Sequence, residues 1–507
     1  MQKSIEGCFA LIVLFSVFGI NFHITDPYLF SKWFATLAFM LIVANCFILI
    51  SITHPHTICC EHLFQRINQT ILFACWLLAT TFLVLYAFGY HTVITHTIMG
   101  GVTGLVSCLS IGSSVAIFLS KRVAARYRYW LISLSLYLTL PSIFLQSRIS
   151  IICLILSMTI CNIQRIWVRL SLIPLLLLLL LIKTSSTAGR WFIYRRCFDM
   201  ISEKPLWGWG TNGFAANYMS QQASYFMEHP DSSYSLLADN MYHPLNEFLL
   251  ISINYGLVVT AILTILIIIL LTFKRSKKNS FVGLGRLLII NILAFSLFTY
   301  PFSYPFTWVI TLYAILMIIC PQYVYIRCSS LKSGVLIVII VLATYQLFEW
   351  WHPRKEWLYV INSNNGYTRK KTMNIYKDLY SNLRSDYRFL YNYACELYFS
   401  EDYENAQIVI NECNKLLVDY DLSILSGDIE LAQGNYKNAT QYYINAHYMC
   451  PCRFLPLCNL YDLYKLQGDR KKCRLLRNEI LSMPIKIRSD ETLQLIRHVK
   501  EDDYVNK

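Results

Sequence analysis

The feature that most constrains this chain is its series of long apolar runs, of which Leu249–Leu271 is one that holds no charged side chain. Inside hydrocarbon every backbone N–H and C=O must be satisfied within the protein, so only helices and closed barrels cross a bilayer. About 20 apolar residues make one spanning helix. Runs of this kind lie near 8–22, 33–52, 71–89, 94–119, 129–146, 149–163, 166–182, 248–272, 286–303, 306–326 and 334–350. The expected fold class is therefore all-α: a polytopic helical membrane protein with about 11–12 spans, since 129–182 can be divided in more than one way. The first run also has the look of a signal peptide, but without a small-x-small cleavage pattern it is read as a span. With 56% apolar and 15% charged residues, against about 25% charged in soluble domains, a water-soluble enzyme throughout is excluded. Disorder and a small disulfide scaffold are excluded too.

The net charge of +14 is unevenly spread. Residues 1–351 hold 22 Lys and Arg against 10 Asp and Glu, whereas 352–507 hold 22 against 20. Excess positive charge beside membrane spans marks cytoplasmic loops, which explains the basic balance better than nucleic acid does. The clusters Lys121, Arg122, Arg126, Arg128, then Arg165, then Lys274, Arg275, Lys277 and Lys278 all fall on one side when eleven spans follow a cytoplasmic N-terminus. The same parity puts the loop 183–247 and everything after 351 on the outer face, which in a bacterial inner membrane is the periplasm. The 17 cysteines lack metal-ligand spacing: Cys59-Cys60 is adjacent, and Cys450-x-Cys452 has no second pair. Most read as small buried residues, and neither a metal nor a cofactor is expected.

After residue 351 hydropathy falls and a repeat emerges. Asp402-Tyr403-Glu404-Asn405-Ala406, Gly434-Asn435-Tyr436-Lys437-Asn438-Ala439 and Gly468-Asp469-Arg470-Lys471-Lys472-Cys473 recur at spacings of about 33 and 34, with Pro451 and Pro484 about 33 apart. This resembles the tetratricopeptide repeat, a helix pair whose small Ala or Cys permits close packing. The expected division is thus a polytopic domain over 1–351, carrying the outer loop, and a helical repeat (TPR-like) domain over 352–507 that offers a surface to a protein partner.

Basic side chains on the outer face are the candidates for chemistry. Arg148 sits in the short connection Gln146-Ser147-Arg148, against the charge bias, where a guanidinium wants an anion. A snorkelling arginine is the plainer reading. The outer loop opens Thr184-Ser185-Ser186-Thr187-Ala188-Gly189-Arg190-Trp191, whose small residues would let backbone approach a ligand and cap a following helix. Arg190 is the second anion candidate, with Arg195 and Arg196 on the helix beyond it. The segment Pro205-Leu206-Trp207-Gly208-Trp209-Gly210-Thr211-Asn212-Gly213-Phe214 contains a formal Gly-x-Gly-x-x-Gly. Without a preceding strand it is no dinucleotide site; its glycines make turns, and Trp207 and Trp209 suit the lipid interface or a sugar face. The loop closes on His243-Pro244-Leu245-Asn246-Glu247. His243 can take a proton from an attacking hydroxyl, with Asn246 and Glu247 available to orient it or bind acceptor hydroxyls; a structural histidine at a helix start is the alternative, and His229 is the competing base.

Two arginines and a histidine suit displacement of a diphosphate from an activated sugar: paired guanidiniums hold the leaving group while the base activates the incoming hydroxyl. Outside the cytoplasm the sensible donor is lipid-linked, its tail lying among membrane lipid. These segments together resemble the O-antigen ligase and polymerase superfamily of bacterial envelopes. The match rests on Gln146-Ser147-Arg148, Ala188-Gly189-Arg190, Pro205–Phe214 and His243 through Glu247, followed by Tyr255-Gly256-Leu257. It covers roughly residues 100–350, and the C-terminal repeats look like those on members from Bacteroidota.

The resemblance implies a glycosyltransferase that takes glycan from undecaprenyl diphosphate and passes it to an acceptor hydroxyl, with Arg148, Arg190 and His243 at the positions of the family's arginines and base. Family members often read His-Asn directly, whereas Pro244 and Leu245 separate His243 from Asn246 here, which weakens the case for Asn246. The leading expectation is ligation to a lipid A core sugar or a protein Ser or Thr, a step of lipopolysaccharide or glycoprotein assembly. Polymerisation of lipid-linked repeat units is the alternative with the same donor. A lipid-linked oligosaccharide flippase or transporter would place ionisable residues within its spans, where this sequence has few.

Overall fold

The computed structural model describes residues 2–19, 29–53, 56–90, 100–162, 184–273, 280–326, 330–362, 369–502 and 504. Among them the fold is all-α, with twenty helices, one 3-10 turn at Pro301–Ser303 and two four-residue strands. The chain divides into two compact units, one of residues 1–182, 245–247 and 263–364, the other of 183–244, 248–262 and 365–507. The loop that the sequence attaches to the polytopic domain thus shares a unit with the repeats.

Five helices are long and apolar enough to cross a membrane, Phe30–Ile48, Cys60–Ala87, Val102–Ser120, Glu247–Thr272 and Ser333–Asn362, and they mark this as a membrane protein. Shorter apolar helices cover Ile5–Phe18, Arg148–Cys161, Val282–Ser296 and Pro305–Ile319. On Glu247–Thr272 the large apolar side chains face outward: Leu257, Ile262, Ile265, Leu266, Ile268 and Ile269 are each at least 45% exposed, as lipid-facing residues should be.

Several element limits differ from the hydropathy reading. The run expected at 71–89 begins at Cys60, because Glu61, His62, Gln65 and Arg66 make the first turns amphipathic while Phe64, Ile67 and Ile71 stay buried. The run at 306–326 stops at Ile319, and Tyr323–Ile326 instead forms a strand antiparallel to His56–Cys59. The helix that covers the run expected at 334–350 continues through residue 351 to Asn362, with Trp357 and Leu358 fully buried and Trp351 stacked on Phe34 at 4.9 Å. The expected span 166–182 and the basic residues Arg165, Lys274, Arg275, Lys277 and Lys278 lie outside the described residues.

The first unit is organised around Val102–Ser120, a helix rich in Ser and Gly that packs on Cys60–Ala87, Ala125–Phe144, Arg148–Asn162 and Val282–Ser296. Small residues let backbones approach closely where no hydrophobic force drives helices together. A Cβ on Gly112 would meet Cys75 at 2.7 Å. Hydroxyls then join the helices: Ser110 bonds Ser150 at 2.8 Å, Ser113 bonds Ser135 at 2.7 Å, and Ser114 bonds Ser157 at 2.9 Å. Asn291, fully buried, donates to both Ser114 and Ser157.

In the second unit, eight helices from Arg369–Leu383 to Asp490–Glu501 pack each on its sequence neighbours. Asp386, Asp402, Asp419, Asp469 and Ser489 cap helix N-termini with their side chains. The repeated motif has one local geometry: Glu401, Gly434 and Gly468 all adopt positive φ, of 61°, 80° and 75°, and end one helix just before the next begins. The small residues of the motif, Ala406, Ala439 and Cys473, are fully buried. The Thr184–Glu203 and Gly213–Glu228 helices complete this unit, with Phe192, Phe226 and Ala238 forming a core that Tyr225, Tyr234 and Tyr448 cover.

Candidate active site

Arg148 belongs to the first unit and is half-buried as the first residue of its helix. A turn with Gln146 at φ 54° sets it there, closed by Ser147 N–H donating to Ser142 O at 2.8 Å. Arg190 belongs to the second unit and lies in the second turn of Thr184–Glu203. The Ser and Thr residues expected to precede and cap this helix are part of it, so Arg190 stands on a helix side, away from the N-terminus. Arg195, five residues on, leaves the axis about 140° from it and is exposed, so the two guanidiniums do not share a face. Arg196 is taken up by Asp199 at 3.0 Å and by the ring of Tyr225 at 4.5 Å.

The Gly-x-Gly segment has a structural task that the sequence did not disclose. Gly256 interrupts the Glu247–Thr272 helix with φ 84° and ψ 170°, leaving carbonyls before it and an N–H after it without helical partners. Trp209 N–H donates to Ile253 O at 2.8 Å, Gly210 N–H to Asn254 O at 2.9 Å, and Leu257 N–H to Pro205 O at 2.8 Å. Asn254 Oδ1 accepts from Phe214 N–H at 3.0 Å. The backbones are so close that a Cβ on Gly256 would overlap Leu206 O, and one on Gly208 would sit 2.5 Å from Ile253 O. Glycine is needed at both positions by geometry. Trp209 is anchored as well: its indole N–H donates to Met200 O at 2.9 Å and Lys204 Nζ lies 3.9 Å above its ring. Trp207 is 75% exposed.

His243 lies in the second unit, partly buried, between Tyr242 and the buried Pro244. The residues before it are held by side chains from the connections between the repeat helices. Ala238 O accepts from Lys486 Nζ at 3.0 Å, and the Asp239 carboxylate takes Arg453 at 2.6 Å and Lys486 at 3.6 Å. Burial pushes the Asp239 carboxyl up, but the Arg453 hydrogen bond, the Asn240 amide and Lys486 outweigh it and hold it below the ordinary carboxylate range. Asn240 Nδ2 donates to Tyr242 Oη at 3.0 Å, and Tyr242 Oη donates to Asp419 at 2.8 Å. Burial and the neighbouring Asp419 charge push Tyr242 well up, which keeps its phenol a donor. Beside these contacts is a cavity of about 390 Å³ that Asp239, Asp421, Arg453, Lys486 and Glu491 help to line.

In the first unit, Asn246 Nδ2 donates to Leu297 O at 3.1 Å, and the buried Glu247 accepts from Phe302 N–H at 3.1 Å. Both side chains therefore tie the start of their helix to the turn after Val282–Ser296. His229, the competing base, stacks on Tyr225 at 4.7 Å at the end of its helix. The residues that sequence reasoning missed are Asp239, Arg453, Lys486 and Asp419. Only Asp419 carried a local signal, as a helix cap, and nothing in it pointed to Tyr242 177 residues away. No model of a protein family matches this chain, and no curated protein matches it.

Proposed function

We propose that the protein transfers a glycan from an undecaprenyl-diphosphate carrier to an acceptor hydroxyl at the outer face of a bacterial inner membrane, as an O-antigen-ligase-type enzyme. Arg148 and Arg190 hold the diphosphate as charge develops on it, and His243 takes the acceptor proton. The acceptor is a lipid A core sugar or a protein Ser or Thr. The repeats, read as tetratricopeptide-like, sit in the periplasm and dock a protein partner. The observation that carries this reading is the meeting of two segments on which the family resemblance rests: the backbone of 205–210 fills the break at 253–257 through paired hydrogen bonds and two indispensable glycines. His243, which opens a third such segment, belongs to the same compact unit.

The test is transfer by the full chain in liposomes from a purified lipid-linked donor to each acceptor class. Arg148→Ala and Arg190→Ala are each expected to lower the rate about 10²-fold or more, with lysine rescuing only in part because it lacks the fork. His243→Ala loses the chemical step yet still binds donor. Full activity of Arg190→Ala removes that residue from the mechanism. Products longer than one donor glycan, formed without any added acceptor, identify polymerisation instead.

A further inference from the structure

We propose that Asp419, at the head of the Tyr420–Ala432 helix, is a positioning residue for His243, acting through the hydroxyl of Tyr242 and the carboxamide of Asn240. The proposal rests on His243 being the base. The segment that delivers His243 has no helix or strand of its own between Ala238 and Leu245, so its course is set by side-chain contacts. Those contacts converge from three parts of the repeat region, all within one compact unit. Lys486, ahead of the Asp490–Glu501 helix, takes Ala238 O; Arg453, ahead of Leu455–Leu466, takes Asp239; and Asp419 takes Tyr242.

The last contact is the nearest to His243 and the most directional. Asp419 divides its two oxygens: Oδ1 accepts from Leu422 N–H at 2.7 Å as the helix cap, and Oδ2 accepts from Tyr242 at 2.8 Å. Asn240 locks the arrangement from the other side, donating to the Tyr242 hydroxyl at 3.0 Å while its Oδ1 accepts from Tyr420 N–H at 3.4 Å. A chain of donors that ends on a carboxylate polarises along its length and is stiffer than its separate links. On the far side of His243, Pro244 fixes φ and Leu245 takes φ 56°. The imidazole is thus carried on a short backbone span pinned at Tyr242 and turned sharply at Leu245. A general base must lie within hydrogen-bond reach of the proton it removes, and a displacement of about 1 Å can cost up to about 10²-fold in rate. The repeat region is on this account part of the site's scaffold, in addition to any docking it performs.

Two mild variants test this. Tyr242→Phe removes one hydroxyl and leaves the cap untouched, and Asp419→Asn keeps a good N-cap residue while deleting the charge that Tyr242 addresses. In the full chain, reconstituted with lipid-linked donor, each is expected to lower kcat about tenfold with KM for donor unchanged. The double variant should be no slower than the worse single, amide exchange over 239–243 should quicken, and thermal unfolding should move little. Wild-type kcat and exchange in both singles, beside an inactive His243→Ala, overturn the positioning role and leave His243 as base. A loss of rate that merely tracks the fraction of folded protein overturns it too. Activity in His243→Ala removes the base, and the positioning role with it.

Discussion

The buried polar groups of the first unit are mostly serines and threonines, with Asn68 and Asn291 and two charged residues, Lys32 and Glu247, whereas those of the second include Asp386, Asp419, Glu430 and Gln222. In the first, hydroxyls bond across closely packed helices whose outer faces are apolar. In the second, carboxylates cap helices and hold a loop through Arg453 and Lys486, around an aromatic core. A side chain in hydrocarbon has no water to fall back on, so neutral groups that bond one helix to another are favoured. Where water is available, a charge can be partly buried and still be satisfied by an ion pair and an amide. The same chain thus uses two vocabularies of cohesion.

The sharpest way to break the comparison is Gly256→Ala. Its backbone lies in a region that essentially only glycine occupies, and the added methyl would strike Leu206 O. A loss of about 3 kcal/mol is expected in the second unit, read as a fall in thermal stability in detergent, while Gly334→Ala, where nothing lies within 4 Å, should be silent.

Next comes pH. Burial lowers His447 to about 4 from its ordinary 6.5. A depressed histidine is charged in the unfolded chain before it is charged in the folded one. Stability is therefore full above about 6.5 and declines as pH falls toward 4, by on the order of 3 kcal/mol at most. Glu479, 3.9 Å away and raised by burial, offsets part of this. His447→Gln should flatten the unfolding profile of the second unit over that window. A profile unchanged by the substitution would mean that other groups govern it.

The smallest effect is expected at Asn291→Ala, which removes two hydrogen bonds to Ser114 and Ser157. Bonds of this kind within membranes contribute about 1 kcal/mol, so thermal unfolding in detergent should fall by a few degrees. A loss several times larger would show that the serine seam is cooperative.

Much of the helical architecture was legible because hydropathy and helix length are local properties. The runs that became Val102–Ser120 and Phe30–Ile48 are set by twenty neighbours in sequence. Repeat phasing was legible for the same reason: Gly434 and Gly468 end helices wherever the motif recurs. The Tyr323–Ile326 strand was not, since its apolar residues continue a helical run and only pairing with His56–Cys59 makes it extended. The start at Cys60 was hidden because a polar face over a buried one lowers mean hydropathy without weakening the helix.

For the candidate site the division falls in the same place. The residue types, the turn-forming glycines and the order of Arg148, Arg190 and His243 along the chain were settled by the sequence, because each depends on its own side chain and close neighbours. Which groups support them was decided only by tertiary structure. That Gly208 meets Gly256, that Arg453 holds Asp239, and that Asp419 reaches Tyr242 are pairings across tens to hundreds of residues. Pairings of that range have no periodicity to announce them, because they are fixed by how whole helices pack and not by the spacing of residues along any one of them.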